Sequence, residues 1–228
     1  MKKVAIFDID GTIFRSSLFI ELVEELIKQK IMPESTRKEF EKELEDWQNR
    51  KGSYEKYIEA VVSVFMKNIK GIAYEHFQNA SKSVVLRHQN RVYRYTRDLV
   101  KSLKKKGYFL LAISQSPKGV LDTFCKKFGF DKIYGRFYEL GPHDLLTGEI
   151  TDLHLIANKA NIVKRVLEKE RLTLKGSIGV GDTEGDIPFL ELVEKPICFN
   201  PNAKLYRIAR LNHWKIVVER KDVVYENI

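Results

Sequence analysis

The sequence has little cysteine, and none of its apolar runs is long and uncharged. Its two cysteines, Cys125 and Cys198, lie in apolar surroundings and lack Cys-x-x-Cys spacing. This excludes a disulfide framework and favours buried free thiols in a reducing compartment over a redox or metal role. Asp8 and Asp10 interrupt the apolar stretch near the start. We therefore expect neither a signal peptide nor a membrane-spanning helix, and predict a cytoplasmic protein with no membrane partner.

The positive charge is unevenly distributed along the chain. The net charge is +9, yet residues 14–88 contain 13 Lys and Arg against 12 Asp and Glu, so the basic excess lies in the remainder. The sequence has no run of five basic residues and no alternation of aromatic and basic residues. Nucleic-acid binding is therefore not expected, and the charge favours anionic substrates instead. Nothing in the sequence specifies an oligomeric state.

Residues 14–88 have a helical pattern of apolar residues. Their stripes recur at helical spacing, and the stretch from Ile72 to Val85 is also helix-like. The simplest interpretation is that the stripes form the core of a small helical bundle. The three stripes are Phe19, Leu22, Val23, Leu26 and Ile27; Phe40, Leu44 and Trp47; and Tyr54, Ile58, Val61, Val62 and Phe65.

The rest of the chain alternates between strand and helix patterns. Near-continuous apolar strands separated by helices predict an α/β fold with a parallel sheet covered on both faces. In such sheets, ligands bind outside the carboxyl ends of the strands. The predicted strands are residues 109–113, 177–181, 196–199 and 215–218, after a first strand at residues 4–7; the helices are 92–106, 119–128, 159–170, 186–194 and 203–212, with irregular or short-strand structure up to residue 150.

The segment Asp-Ile-Asp-Gly-Thr at residues 8–12 directly follows the first predicted strand. Residues two apart on a strand point to the same side, so Asp8 and Asp10 can both reach one ligand. Two carboxylates at the end of a buried strand favour phosphoryl-transfer chemistry. Taken alone, however, the same pattern also occurs in ordinary turns and in calcium sites.

Three further motifs with polar residues follow along the chain. Ser114 ends the strand at 109–113, Lys159 opens a helical stretch, and Asp182 and Asp186 follow the strand at 177–181. With residues 8–12, these motifs resemble the haloacid dehalogenase superfamily of phosphatases, most closely its phosphoserine-phosphatase-like subfamily IB. The resemblance implies a Rossmann-like core, residues 1–13 and 89–228, with residues 14–88 inserted as a helical cap domain.

The resemblance also implies a role for each matching residue. Asp8 would be the nucleophile that forms an aspartyl-phosphate, and Asp10 the general acid and base. One Mg²⁺ would be held by the side chains of Asp8 and Asp182 and the backbone carbonyl of Asp10, with Asp186 as a further or indirect ligand. The residues that would hold the phosphoryl group are Gly11, Thr12, Ser114, Gln115 and Lys159.

Some positions depart from the subfamily's pattern. Ser17 stands where phosphoserine phosphatases carry the Glu that recognises the substrate's amino group. The second motif is followed by Gln115 and Ser116 instead of two glycines, and Gly185 replaces a common Asn. Phosphoserine is therefore disfavoured as the substrate.

The sequence thus predicts a Mg²⁺-dependent phosphomonoesterase that acts on a small organic phosphate. A phosphotransferase using the same intermediate is the alternative, and a non-catalytic phosphate-binding regulatory protein is a third interpretation. The substrate itself cannot be read from the sequence. Several cap residues could face either the site or the bundle core: Arg15, Trp47, Arg50, Tyr54 and Tyr57.

Overall fold

The computed structural model describes residues 1–151 and 158–226. They contain an eight-stranded sheet in the order β4-β3-β2-β1-β5-β6-β7-β8, parallel except for antiparallel strands at its two edges. The predicted α/β class is thereby confirmed. The strands are β1 (Lys2–Phe7), β2 (Phe109–Pro117), β3 (Lys132–Leu140), β4 (Leu146–Thr151), β5 (Leu172–Gly181), β6 (Lys195–Phe199), β7 (Lys215–Arg220) and β8 (Val223–Glu226).

Six helices lie between β1 and β2. The first five fall within residues 14–88, where the apolar patterns predict helical structure: α1 (Leu18–Lys28), α2 (Ser35–Lys38), α3 (Glu41–Gln48), α4 (Tyr54–Asn68) and α5 (Tyr74–His88). The later helices are α6 (Arg94–Lys105), α7 (Lys118–Lys126), α8 (Lys159–Lys169), α9 (Ile187–Leu190) and α10 (Ala203–Leu211), with short 3-10 helices at Pro142–Asp144 and Glu184–Asp186. In the described ranges, every helix is too short or too polar to cross a membrane.

The sheet is covered on both faces, as near-continuous apolar strands require. On one face, side chains of α8, α9 and α10 pack with alternate residues of β1 and β2, such as Ile6 and Leu111. On the other face, α6 and α7 pack against Phe7 and Ala112, and the apolar stripes of α1, α4 and α5 extend the same buried cluster. The helical insertion therefore shares a continuous core with the sheet.

The strand order reverses at β1. From β1 the chain runs outward through β2, β3 and β4, and it then returns to β5 on the other side of β1. Such a reversal leaves a crevice at the carboxyl ends of the flanking strands, where doubly wound sheets bind ligands. Residues that follow β1, β2 and β5 therefore share one edge of the sheet.

Three sequence predictions differ from the structure. The region predicted to have irregular or short-strand structure contains the nine-residue strand β3 as well as the shorter β4, and β8 is an additional edge strand. Gly135 accounts for part of the first difference, because a Cβ there would lie 2.8 Å from the Ser116 carbonyl oxygen, so glycine permits close strand and helix packing. The prediction of a helix at residues 186–194 was wrong in length, since α9 ends at Leu190.

Both cysteines, Cys125 and Cys198, are buried and free.

Candidate active site

Lys159 joins two buried carboxylates at the edge of the sheet. Its Nζ donates to Asp8 Oδ1 at 2.6 Å and to Asp186 Oδ1 at 2.5 Å. Asp8 directly follows β1, and Lys159 is the first residue of α8, where the Asn158 side chain caps the helix by accepting from Ala160 N at 2.9 Å. The cap fixes where α8 begins. Lys159 is therefore held at the start of the helix, next to Asp8 at the end of β1.

The turn after β5 is organised by Asp186. Its Oδ2 accepts the backbone N–H groups of Asp182 at 2.9 Å and Thr183 at 3.0 Å. Thr12 Oγ1 donates to Asp182 Oδ1 at 3.1 Å, which ties this turn to the loop after β1. That loop passes very close to the turn at Gly11, whose φ is 79° and where a Cβ would collide with the Asp182 carboxylate. Glycine is therefore required at this position.

Asp10 is held by three hydrogen bonds from two elements. Its Oδ1 accepts the Leu18 N–H at the start of α1, at 2.6 Å. Its Oδ2 accepts the hydroxyls of Ser114 at 2.6 Å and Ser116 at 2.7 Å. Ser116 N in turn donates to Ser114 Oγ at 2.9 Å. The carboxylate is thus fixed in one orientation beside Asp8, next to the first helix of the insertion.

Burial makes the ionised cluster electrostatically costly. It raises the pKa of Asp8 to about 7, with Asp186 and Asp10 adding to the effect and Lys159 opposing it. Burial, Asp8 and Asp186 raise the pKa of Asp182 well above its ordinary value. The pKa of Asp10 is raised by burial, partly offset by its hydrogen bonds. Burial acts to lower the pKa of Lys159, but Asp186 and Asp8 raise it overall.

The carboxylates fit a divalent cation. Oxygen atoms of Asp8, Asp182 and Asp186 lie within 4.8 Å of one another. With Asp10, four carboxylates face one lysine in a buried region, so added positive charge would stabilise their ionised forms. An all-oxygen donor set is typical of hard ions such as Mg²⁺.

A large chamber opens above these groups, with a volume of about 870 Å³. Asp8, Asp10 and Lys159 lie at its floor, and residues of α3 and α4 contribute to its walls. The sequence left the orientation of five cap residues open. Four of them line the chamber: Arg15, Trp47, Tyr54 and Tyr57. The fifth, Arg50, does not line it.

The structure brings most of the sequence-predicted residues together, while their roles stay predictions. Thr12 contacts Asp182, and Ser114 contacts Asp10. The Gln115 side chain accepts from Arg136 Nη2 at 2.6 Å.

Sequence reasoning did not assign roles to Ser116 and Arg136. Ser116 could have been found, because it lies two residues beyond Ser114 and so faces the same side of β2. Arg136 gives no such signal, since it comes from β3, which the sequence did not predict.

The fold is that of a doubly wound α/β protein, and the candidate site lies at the switch point of its parallel sheet, where such proteins bind ligands. Residues 5–191 match the family model for haloacid dehalogenase-like hydrolases. The chain therefore belongs to that family, which confirms the family resemblance seen in the motifs.

Two proteins named as phosphatases are similar to this chain over most of its length. The chain is 25% identical over 222 residues to a histidinol-phosphatase of Neisseria meningitidis, covering 95% of this chain and 99% of the relative. It is 24% identical over 209 residues to a phosphoserine phosphatase of Archaeoglobus fulgidus, covering 91% of this chain and 55% of that one.

Two solved structures share the fold. A Bordetella pertussis protein of unknown function superposes with a TM-score of 0.70 at 19% identity, covering 95% of this chain and 98% of that one. A phosphoserine phosphatase in a phospho-aspartyl intermediate analogue form gives 0.65 at 21% identity, covering 97% and 95%.

Proposed function

We propose that this chain is a magnesium-dependent phosphomonoesterase that hydrolyses a small organic phosphate through an aspartyl-phosphate on Asp8. The observation that carries the proposal is the buried Asp8 carboxylate, held by Lys159 at 2.6 Å beside a cluster of carboxylates. Relatives named as histidinol and phosphoserine phosphatases support the phosphatase activity. In this proposal residues 14–88 form the cap domain, and residues 1–13 and 89–228 form the catalytic core.

The carboxylate cluster provides the groups that would hold Mg²⁺. They are the side chains of Asp8 and Asp182 and the backbone carbonyl of Asp10. Both oxygens of Asp186 already accept hydrogen bonds, from Lys159 and from backbone N–H groups, so Asp186 would mainly hold the site together. When bound, the ion supplies positive charge that offsets the charge of the phosphoryl group.

In the first step, a carboxylate oxygen of Asp8 attacks phosphorus and the bond to the leaving oxygen breaks. Asp10 gives its proton to that oxygen, which leaves as a neutral alcohol. Burial raises the pKa of Asp10 and so favours the protonated form that this step requires. Lys159 contributes positive charge next to Asp8 as the negative charge moves onto the phosphoryl oxygens.

In the second step, Asp10 accepts a proton from water as the water oxygen attacks the phosphorus bound to Asp8. The bond between phosphorus and the Asp8 oxygen breaks, which releases inorganic phosphate and restores the carboxylate. The hydrogen bonds from Leu18, Ser114 and Ser116 keep Asp10 in one place for both proton transfers. Backbone N–H groups near Gly11 and Gln115, with Thr12, would hold the phosphoryl oxygens.

A direct assay tests the proposed activity. We expect the purified chain to release inorganic phosphate from p-nitrophenyl phosphate in the presence of Mg²⁺, to stop in excess EDTA, and to recover when Mg²⁺ is restored. Full activity in EDTA would contradict the metal requirement. A lack of turnover on this ester and on a panel of phosphorylated metabolites would favour the non-catalytic alternative. Formation of a new phosphate ester with added alcohol would favour a phosphotransferase.

A second prediction concerns the proton transferred by Asp10. Asp10→Asn should lose more activity on an alkyl phosphate than on p-nitrophenyl phosphate, because p-nitrophenolate is a good leaving group that needs little protonation. The measurement is kcat/KM on both esters for wild type and variant, with circular dichroism to verify folding. Equal losses on the two esters would argue against Asp10 as the general acid.

A further inference from the structure

The chamber is larger than the ester of a short alcohol requires. Its volume of about 870 Å³ lies near the upper end of the range for pockets that enclose drug-sized ligands, roughly 300–1,000 Å³. A phosphate group on a two- or three-carbon chain would contact the floor of the chamber, and most of the wall residues would remain exposed to water. The wall therefore matches a substrate with a bulkier group beyond the phosphate.

Three aromatic residues, Trp47, Tyr54 and Tyr57, form what we call the aromatic wall. Trp47 and Tyr57 stack with a ring separation of 5.7 Å and an interplanar angle of 12°, and Tyr54 packs 5.3 Å from Trp47. Tyr57 is 4% exposed, whereas Tyr54 is 38% exposed. The wall is thus already packed in position, and Tyr54 is its most accessible ring.

The aromatic wall adjoins the reacting groups. Tyr54 lines the same chamber as Asp8, Asp10 and Asp182. A group bound against Tyr54 would therefore be only a short linker away from a phosphoryl group on Asp8.

The charges of the chamber disfavour a second anionic group at this position. Arg15 is paired with Glu219 at 2.5 Å, and Arg91 with Glu21 at 2.8 Å, so neither offers an uncompensated charge to a second anionic group. Arg136 bonds to Gln115, next to Ser114, and so lies at the phosphate end of the chamber. The rest of the wall combines the aromatic rings with apolar side chains such as Ile58 and with the carboxylates of Glu55 and Glu59, which also disfavour a second anionic group.

On the basis of the proposed phosphomonoesterase function, we propose that the substrate is the phosphate ester of a primary alcohol carrying a planar aromatic ring. The ring packs against the aromatic wall, while the phosphate reaches Asp8 and Lys159. Aromatic contacts of this kind favour planar rings over aliphatic chains of similar length. Tyr54 is then a specificity-determining residue.

The test compares two esters whose leaving alcohols have similar basicity and similar length, 2-phenylethyl phosphate and hexyl phosphate. With the wild-type chain and Mg²⁺, we expect kcat/KM to be about three- to tenfold higher for the ring-bearing ester, mainly through KM. Tyr54→Ala should reduce this ratio towards one, whereas Tyr54→Phe, which keeps the ring and the fold, should retain it. Tyr206→Ala is the matched control, because Tyr206 is 39% exposed on α10 and does not line the chamber.

The outcomes separate this inference from the proposed function. If the wild type hydrolyses both esters equally well, or if Tyr54→Ala keeps the full ratio, the ring inference is wrong while the phosphatase activity stands. If neither ester nor p-nitrophenyl phosphate is hydrolysed, the proposed function itself fails. L-phosphoserine should be a poorer substrate than the ring-bearing ester by at least about tenfold, since Ser17 gives its ammonium group no charged partner. Phosphoserine as the better substrate would overturn the inference.

Discussion

Replacing Asp8 with Asn is expected to abolish phosphate release, with a fall in kcat of at least about three orders of magnitude. An amide oxygen cannot take the place of the carboxylate as nucleophile, and the uncatalysed hydrolysis of phosphate monoesters is extremely slow. The variant should remain folded, because Asn has the same shape as Asp and Lys159 keeps its bond to Asp186. Steady-state phosphate release and thermal unfolding followed by circular dichroism provide the two measurements.

Asp222→Asn is the matched control for this experiment. Asp222 is exposed, and it accepts a hydrogen bond from Arg94 through its backbone carbonyl, so the same chemical change should leave kcat unaltered. Substantial turnover by the folded Asp8→Asn variant would show that another group attacks phosphorus. An Asp8→Asn variant that fails to fold would instead show that the carboxylate is needed for structure.

The α/β fold could be predicted from the sequence because its strongest signals are local. The apolar runs of β1 and β5 and the helical stripes of α1 and α4 follow directly from periodicity. The strands β3 and β4 give weaker signals, since β3 mixes charged and apolar residues around Gly135. The formation of β3 depends on its pairing with β2, and no local pattern encodes that pairing.

The convergence of the candidate site could also be predicted, because parallel strands deliver their carboxyl ends to one edge. Asp8 and Asp182 each follow a strand directly, and β1 and β5 are neighbours in the sheet. Asp186 could be placed nearby, but its bonds to Lys159 and to backbone N–H groups depend on the geometry of the turn. These contacts exist only in the folded chain.

The walls of the chamber could not be predicted for a different reason. Trp47, Tyr54 and Tyr57 lie on apolar stripes that are equally compatible with a bundle core and with a binding surface. In the structure they pack against one another and also line the chamber. Which side of a helix faces the site depends on how the insertion docks on the core. That docking depends on contacts between residues far apart in the sequence.

Replacing Lys159 with Met should destabilise the fold as well as stop catalysis. Lys159 is 5% exposed, and among the described residues it is the cation that pairs with both Asp8 and Asp186. Met preserves most of the aliphatic chain but leaves these buried carboxylates without their cationic partner. Removing one member of a buried ion pair typically lowers the free energy of unfolding by about 3–5 kcal/mol. Urea unfolding in EDTA, which keeps the comparison free of metal, measures the change.

The destabilisation by Lys159→Met should depend on pH in a defined direction. The pKa of Asp8 is already raised to about 7 by burial, and losing the opposing influence of Lys159 raises it further. A carboxyl group whose pKa is higher in the folded than in the unfolded state binds protons preferentially when folded, so stability falls as pH rises. The difference from wild type should therefore be larger at pH 9 than at pH 6. Lys164→Met, at an exposed position of α8, should change stability by less than about 0.5 kcal/mol. An equal loss of stability at both pH values would show that the destabilisation does not arise from the ionised carboxylates. No loss at either pH would show that Lys159 does not stabilise the fold.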